Sequence, residues 1–374
     1  MIDLFTYIVY CSLLITSLIL LTNANKKVPY QYSLTFQTKI NFNQWLFILL
    51  ISIVVGFRYE VGVDWFAYKA DYDYFHLRTS TKFLNQYYEY GYYLMSSIFG
   101  RLQLGSEWLF FTISLLTWGV IVKGIPKFLL PLAIFYIFAD EYFFWSMNGV
   151  RQFVAIAFWL LSIKYIIDKK LLKFVICIVL GSLFHQSVLL VIPFYFLNYN
   201  KIYNYKLFVG LFIVSLFLGS FKDELLGGVI NLLNQYGGSS TITDRYSRYN
   251  ESVHMSSVET VLGAGFYSKT AINFIIILLS NSMIKLNRKI TPYFVLFSIG
   301  AILFNIFYDV QLIGRLSHYF LILRVIVLAL ITYQFWFTNK YRWVSISFTT
   351  FYTILFIWGI YKSSNNCSPY SFIP

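Results

Sequence analysis

The chain has 374 residues, of which 58% are hydrophobic and only 12% are charged. Soluble domains carry about 25% charged residues, so this composition excludes an ordinary water-soluble protein. The 29 lysines and arginines outnumber the 16 aspartates and glutamates and leave a net charge of +13. The basic residues form short clusters between apolar stretches, a pattern that favours loops on the anionic face of a membrane over nucleic-acid binding.

Twelve apolar stretches follow one another along the chain, and each is long enough, or nearly so, to cross a bilayer as a helix. They are residues 4–22, 44–57, 107–122, 128–140, 149–167, 171–184, 187–198, 207–221, 266–284, 291–308, 316–337 and 344–361. The sequence therefore predicts an all-α polytopic membrane protein with about twelve transmembrane helices, because a helix satisfies its backbone hydrogen bonds within lipid. A further apolar stretch, 91–100, is predicted to be re-entrant or interfacial. The first stretch precedes its lysines instead of following them, which indicates a retained span with its N-terminus outside rather than a secretory signal.

Lysine and arginine in the short connections predict which loops are cytoplasmic. The basic set comprises Lys26, Lys27, Lys39, Lys123, Lys127, Lys164, Lys169, Lys170, Lys173, Lys201, Lys206, Lys285, Arg288, Lys289, Lys340 and Arg342. The connections between these loops are mixed or acidic and are predicted to lie outside. The alternation holds throughout only if 171–184 and 187–198 are two short helices with His185 at an outer turn. One long helix over both stretches is the alternative.

Two of the predicted outer segments are large, and both belong to one predicted polytopic domain that comprises the whole chain. The loop 58–90 is rich in Tyr, Asp and Trp and is expected to be folded. The loop 222–265 begins with a stretch, 222–236, whose leucine, valine and isoleucine residues share one helical face. This pattern predicts an amphipathic helix on the membrane surface.

Several polar groups fall at the predicted outer ends of the spans. They are Arg58, Asn148, Arg151, Gln152, His185, Arg315 and His318. A single arginine at a helix end is usually explained by snorkelling, in which the aliphatic stem lies in lipid and the charge reaches water. Three arginines on separate spans beside two histidines instead favour anion binding, since the guanidinium fork matches phosphate. Arg324, nine residues after Arg315, is expected to face another helix or to snorkel.

His185 and Asp64 are the candidate catalytic residues. A histidine can take a proton from a sugar hydroxyl, although a polar residue that completes a helix turn is an equally good reading of His185. Glu60, Asp64 and Tyr68 would share a face of a helix, where carboxylates could bind sugar hydroxyls, act as base or hold a cation. Ion pairs in a folded loop are the alternative, to which Asp71 and Asp73 are assigned. Neither a nucleotide-binding motif nor a metal-ligand pattern is found, so no metal or cofactor is predicted.

Four ordered stretches resemble the EpsG family of exopolysaccharide-synthesis membrane proteins, which is grouped with the Wzy-type polysaccharide polymerases. They are 56–68, with Gly-Phe-Arg at its start, Gly-Val-Asp at 62–64 and Tyr68 at its end; Glu-Tyr-Gly-Tyr at 89–92; Met-Asn-Gly-Val-Arg-Gln at 147–152; and Phe-His-Gln-Ser at 184–187. Arg315-Leu316 with Tyr319 is a weaker fifth. Tyr90 stands where a proline is expected, and the C-terminal third of the chain matches least.

The resemblance implies a glycosyltransferase that joins undecaprenyl-pyrophosphate-linked repeat units on the outer face of a bacterial cytoplasmic membrane, in O-antigen, capsule or exopolysaccharide synthesis. The arginines 58, 151 and 315 are expected to hold the donor pyrophosphate, with Asn148, Gln152, Tyr68 and His318 as further substrate contacts. His185 or Asp64 is expected to deprotonate the acceptor, and a chain-length regulator is a conceivable partner. The alternatives are a flippase for the same lipid-linked sugar and a ligase or acyltransferase that acts on the same polysaccharide.

Overall fold

The computed structural model describes residues 3–22, 34–75, 90–222, 224–225, 227–228, 263–308, 310–338 and 341–373. This part of the chain is almost entirely helical, and its extended pairings are two isolated bridges, Phe36 with Pro126 and Arg58 with Phe372. The chain divides into two compact units. The first contains Met1–Tyr203, Ser282–Val295 and Ile322–Pro374, and the second contains Asn204–Asn281 and Leu296–Leu321.

The described α-helices are, in chain order, α1 (Leu4–Thr22), α2 (Phe42–Gly56), α3 (Trp65–Phe75), α4 (Tyr90–Arg101), α5 (Ser106–Gly124), α6 (Leu130–Ala139), α7 (Tyr142–Ser146), α8 (Val150–Ile167), α9 (Leu171–Ser182), α10 (Tyr199–Ile202), α11 (Tyr205–Leu218), α12 (Ala264–Leu286), α13 (Thr291–Phe307), α14 (Gln311–Leu321), α15 (Leu323–Phe337) and α16 (Arg342–Tyr361). A 3₁₀ helix over Gln186–Phe196 lies between α9 and α10.

Seven helices of the described part are long and apolar enough to cross a membrane. They are Leu4–Thr22, Ser106–Gly124, Val150–Ile167, Ala264–Leu286, Arg288–Phe307, Gly314–Phe337 and Arg342–Tyr361. The other five predicted spans correspond to shorter apolar helices of 10–17 residues: Phe42–Gly56, Lys127–Ala139, Leu171–Ser182, Gln186–Phe196 and Tyr205–Phe221. A continuous α-helix of that length reaches only about 15–26 Å, against a hydrocarbon core of about 30 Å. The all-helical polytopic prediction is thus confirmed, whereas the number of about twelve spans is not.

The chain reverses direction at His185. α9 ends at Ser182, and His185 has extended backbone angles (φ −155°, ψ 112°) before the 3₁₀ helix begins. The rings of Phe174, near the start of α9, and Tyr195, near the end of the 3₁₀ helix, lie 4.9 Å apart. The two segments therefore form an antiparallel hairpin, and the predicted split into two short helices is correct.

Loops predicted to share a membrane face meet in the first unit. The amide of Lys127 donates a hydrogen bond to the carbonyl of Thr35 (2.8 Å). The ammonium of Lys164 lies 5.2 Å from the centre of the Phe36 ring. The loops that precede α2, follow α5 and follow α8 are consequently neighbours at one end of the helices. This grouping is the one that the charge alternation predicts.

The predicted interfacial stretch 91–100 forms the single helix α4. Tyr92 and Ser96 on one face are buried, whereas Tyr90, Leu94 and Ile98 on the opposite face are exposed. An exposed apolar stripe at four-residue spacing favours the interfacial alternative over a re-entrant loop.

Arg324 of α15 faces another helix, as expected, and forms a buried ion pair. Its Nε donates to Asp140 Oδ2 (2.7 Å) and its Nη2 to Asp140 Oδ1 (2.8 Å). Both side chains are nearly inaccessible to solvent. This two-pronged contact fastens α15 to the end of α6, and it removes Arg324 from the candidate substrate-binding groups.

We expect Asp140→Ala to lower the free energy of unfolding by about 3–5 kcal/mol, because the substitution leaves the Arg324 charge buried and unpaired. The double variant Asp140→Leu/Arg324→Met should be much closer to wild type. The measurement is thermal unfolding of the purified protein in detergent. Asp73→Ala is the control, since it removes an exposed ion pair with Lys69 (3.0 Å). A loss at Asp140 as small as that at Asp73 would contradict a structural role for the buried pair.

The second unit contains α11, α14 and most of α12 and α13. Asn305 of α13 joins three of these helices, because its Nδ2 donates to Ser215 Oγ (2.9 Å) and its Oδ1 accepts from Thr270 Oγ1 (3.4 Å). Such side-chain hydrogen bonds are a common means of helix association in lipid. The predicted amphipathic helix 222–236 and most of the loop 222–265 lie outside the described residues, as does 76–89 of the loop 58–90.

Candidate functional site

Arg58 organises the loop between α2 and α3. Its side chain is only 1% exposed. Nε donates to the carbonyl of Val61 (3.1 Å), Nη1 to that of Val55 and Nη2 to that of Met147 (2.7 Å). Each of its three nitrogens is thereby engaged with backbone, and the side chain ties the 57–64 loop to the turn before α8.

Asn148 holds the same loop from the other side. Its Oδ1 accepts from the amide of Asp64 (3.2 Å), and its Nδ2 donates to the carbonyls of Phe144 (3.1 Å) and Asn365 (3.1 Å). Gly62 passes so close that a Cβ there would lie 2.9 Å from Asn148 Oδ1, and its φ of +102° also requires glycine. The Asn148 amide is therefore committed to protein groups, and it positions Asp64.

α3 presents Asp64 and Tyr68 on one face. Tyr68 is 7% exposed, and its amide bonds to the carbonyl of Asp64 (3.0 Å). The prediction that Glu60 shares this face is wrong, because α3 begins at Trp65 and Glu60 lies in the preceding turn, exposed and with a φ of +54°. Asp71, half-buried and seven residues after Asp64, extends the face instead. Asp73, which was assigned with Asp71 to loop ion pairs, is exposed and forms such a pair with Lys69 (3.0 Å).

Arg151 lies against two neighbouring tyrosine rings. Its Cζ is 5.5 Å from the ring centres of both Tyr68 and Tyr92, and these rings are 5.8 Å apart. The Tyr68 hydroxyl is also hydrogen-bonded to Arg151. Burial raises the pKa of the Tyr68 hydroxyl while the Arg151 charge opposes that rise, so the hydroxyl is neutral at pH 7 and accepts its hydrogen bond from the guanidinium.

Arg151 is also in the first turn of α8, which begins at Val150. The N-terminus of a helix and a guanidinium both attract anions. Contacts with both rings and with the Tyr68 hydroxyl restrict the guanidinium, which limits the directions from which an anion can reach its fork. Gln152, the next residue, is buried at 6% exposure in the same turn.

His185 lies at the same end of α8 and α9 as Arg151. A methyl group on Gly181 of α9 would lie 3.5 Å from the Ala155 Cα of α8, so these two residues face each other. Arg151 is one turn before Ala155, and the His185 amide bonds to the Gly181 carbonyl (3.0 Å), one turn on. α8 and α9 run antiparallel and are joined by a short connection. One turn back from Ala155 and one turn on from Gly181 therefore lead to the same end of the helix pair.

α4 connects the turn at His185 to the pair formed by Tyr68 and Tyr92. The amide of Gly91 donates to the carbonyl of Leu183 (2.7 Å), two residues before His185. The next residue, Tyr92, packs on Arg151. The structure therefore brings Asp64, Tyr68, Arg151 and His185 to one region of the first unit.

The segment 363–373, which we name the strap, is the part of the site that sequence reasoning missed. The amide of Tyr59 bonds to the Ser371 carbonyl (2.9 Å), and that of Gly62 bonds to the Asn366 carbonyl (2.9 Å). Tyr370 reaches α2 with a hydrogen bond from its hydroxyl to the carbonyl of Val54 (2.8 Å). The strap thus lines the 57–64 loop along its length. It has no apolar periodicity that could have indicated this role.

Cys367 of the strap is buried against Asn148, with 3.6 Å between Sγ and Nδ2. Burial raises the pKa of its thiol to about 12, so the sulfur stays protonated at neutral pH. This thiol is therefore a packing and hydrogen-bonding group rather than a nucleophile.

Arg315 and His318 lie in the second unit, on one face of α14, where Arg315 is exposed and His318 half-buried. Their part in the site stays a prediction. Within the described ranges, no three His, Cys, Asp or Glu residues approach closely enough to hold a metal ion.

The described part of the chain is largely helical and contains seven helices able to span a bilayer, so the protein is a polytopic membrane protein. The chain belongs to the EpsG family, whose family model matches residues 44–372, nearly the whole length. The resemblance seen in the four short motifs is thus confirmed, and the match reaches into the strap. No curated protein and no solved structure matches the chain. Family and apolar helices together fit a membrane-embedded polysaccharide polymerase in general.

Proposed function

We propose that the protein is a glycosyltransferase that joins undecaprenyl-pyrophosphate-linked oligosaccharide repeat units into a polysaccharide. The observation that carries the proposal is Arg151, which lies at the start of α8 against the rings of Tyr68 and Tyr92 and beside the face of α3 that bears Asp64. A fixed cation at a helix N-terminus suits a phosphate, and adjacent aromatic and carboxylate groups suit a sugar.

In this proposal Arg151 binds the donor pyrophosphate with its fork. Arg58 takes a positioning role, since its nitrogens are engaged by the carbonyls of Val61, Val55 and Met147. Negative charge grows on the pyrophosphate as the glycosidic bond breaks. Cations already in place stabilise that charge more than they stabilise the ground state.

The acceptor hydroxyl oxygen attacks the anomeric carbon of the donor, and its proton passes to His185 or Asp64. The bond between that carbon and the pyrophosphate oxygen breaks, and undecaprenyl pyrophosphate leaves with the electron pair. Tyr68, Gln152 and His318 are proposed sugar or phosphate contacts, whereas Asn148 acts through the Asp64 backbone. The donor is already activated, so the step requires no nucleotide.

We place the reaction on the outer face of a bacterial cytoplasmic membrane, with about twelve apolar helices crossing or entering the bilayer. The mutual contacts of the basic loops support this arrangement. A flippase would need polar groups along the whole transport path. The polar residues of the described site gather at one end of the helices, which favours the polymerase. A ligase or acyltransferase on the same polysaccharide has no observation of its own in its favour.

Cells that lack the protein should accumulate single repeat units on the carrier lipid at the outer leaflet. The reason is that export continues while joining stops. The measurement is mass analysis of extracted lipid-linked sugars, combined with an impermeant glycan-modifying enzyme applied to spheroplasts. Complementation with the wild-type chain is the control. Repeat units protected at the inner leaflet would overturn the polymerase proposal in favour of the flippase.

The orientation of the protein in the membrane is tested separately in a variant whose three native cysteines are replaced by serine. A cysteine at the exposed Val63 of the 57–64 loop should react with an impermeant thiol reagent on intact spheroplasts. A cysteine at Asn287, in a predicted cytoplasmic loop, should react only after the membrane is opened. The opposite labelling would put Arg151 on the cytoplasmic side and exclude an outer-face reaction.

A further inference from the structure

An apolar groove separates α1 from α16 in the first unit. Both helices pack against α6. Both also reach the Phe144 ring of α7, which lies 5.3 Å from the ring of Tyr10 of α1 and 6.1 Å from the ring of Phe356 of α16. The groove between them has a volume of about 410 Å³. It is lined by Tyr7, Thr353, Ile354, Ile357, Trp358 and Tyr361.

The α16 wall of the groove ends next to a charged residue, Lys362, which follows the last residue of the helix. Ile354, Trp358 and Lys362 follow one another at four-residue spacing, so they form one stripe of the helix surface. The Lys362 ammonium lies 5.2 Å from the centre of the Trp358 ring, at the end of the stripe. Isoleucine, then tryptophan, then lysine is the order in which a lipid presents its acyl chain, its interfacial region and its phosphate.

We propose that this groove binds an anionic phospholipid, with one acyl chain along Ile354 and Ile357 and the phosphate on Lys362. Both walls are helices able to span a bilayer, so acyl chains are the surrounding solvent. Ile354 is 62% exposed and Trp358 is 54% exposed, so the described part of the chain leaves this apolar surface open to lipid. The single positive charge of Lys362 matches the one negative charge of a phosphodiester better than it matches the multiple negative charges of a pyrophosphate.

Lys362 immediately precedes the strap, so a lipid bound at Lys362 acts on the site through the strap. Ser364 Oγ donates to Glu141 Oε1 (2.8 Å), and the Asn366 carbonyl accepts the Gly62 amide (2.9 Å). A phosphate bound at Lys362 steadies the start of the strap and, through it, the 57–64 loop. Anionic lipid is therefore an activator of the site. This consequence rests on the proposed function, whereas the binding itself does not.

The binding test uses the purified full chain in nanodiscs of equal phosphatidylglycerol and phosphatidylcholine, with native mass spectrometry of the lipids that remain bound. Wild type should retain phosphatidylglycerol preferentially. Lys362→Ala should lower that preference about five-fold, the factor expected for one lysine near an anionic headgroup. Ile354→Phe, at an exposed position that tolerates a larger side chain, should reduce retention of both lipids. Lys69→Ala is the matched control, since it removes an exposed cation outside the groove, and it should change nothing.

Equal phosphatidylglycerol retention by wild type and Lys362→Ala would overturn the proposal. Displacement of bound phosphatidylglycerol by added undecaprenyl phosphate at equal concentration would overturn it too, because the groove would then belong to the carrier lipid. The activating role is tested by polymer formation in liposomes with and without phosphatidylglycerol. Activation in wild type that is lost in Lys362→Ala supports it, and polymer formation insensitive to the lipid contradicts it. Absence of polymer from wild type in every lipid, with lipid retention intact, would count against the glycosyltransferase and leave the binding site standing.

Discussion

His185→Ala is expected to lower the rate of polymer formation by about 10²- to 10⁴-fold, the contribution of a positioned general base. The variant should also lose the pH dependence that a general base at this position gives the rate. The measurement is polymer made from purified lipid-linked repeat units in liposomes over a range of pH, at matched protein levels.

Gln186→Ala provides the matched control for His185. Gln186 is the exposed neighbour at the same turn between α9 and the 3₁₀ helix. A general disturbance of the hairpin would affect both variants, whereas loss of a base affects only His185→Ala. A near-normal rate and pH dependence in His185→Ala would exclude His185 as the base, and Asp64→Asn would then be the variant to measure.

Arg151→Lys is expected to lower the rate by about 30- to 1,000-fold although it conserves the charge. Lysine is a point donor and cannot reproduce the planar fork that lies against the rings of Tyr68 and Tyr92. One charge-assisted contact that strengthens in the transition state is worth about 2–4 kcal/mol, which corresponds to that range. The loss should be similar at every pH, which separates it from the effect at His185.

Arg101→Lys is the control for Arg151, since Arg101 is an exposed arginine at the end of α4. The assay is the same liposome reaction with the donor concentration varied. Normal polymerisation by Arg151→Lys would show that the guanidinium has no two-pronged phosphate contact. The snorkelling explanation would then account for Arg151.

The comparison of Arg58 with Arg151 shows why sequence reasoning could find candidates but not their roles. Both are arginines next to a predicted span, and charge alternation treats them alike. In the structure Arg58 is enclosed by backbone carbonyls, whereas Arg151 is half-buried against two aromatic rings. The difference depends on Met147, Tyr68 and Tyr92, which come from other parts of the chain.

The sequence by itself determined the properties that depend on composition and local periodicity. These are the helical membrane class, the positions of the apolar helices, the hairpin at His185 and the family. These properties follow from the free-energy cost of leaving backbone hydrogen-bonding groups or charges unpaired in lipid. That cost applies to each segment separately.

Only the tertiary structure decided which distant groups meet. It paired Arg324 with Asp140 and placed Asn148 on the Asp64 amide. It also laid the strap along the 57–64 loop, more than three hundred residues earlier in the chain. The strap's hydrogen bonds there run largely through backbone carbonyls and amides, which every sequence provides. No side-chain pattern could therefore predict these hydrogen bonds. The packing of the helices against one another determined which segments became hydrogen-bond partners.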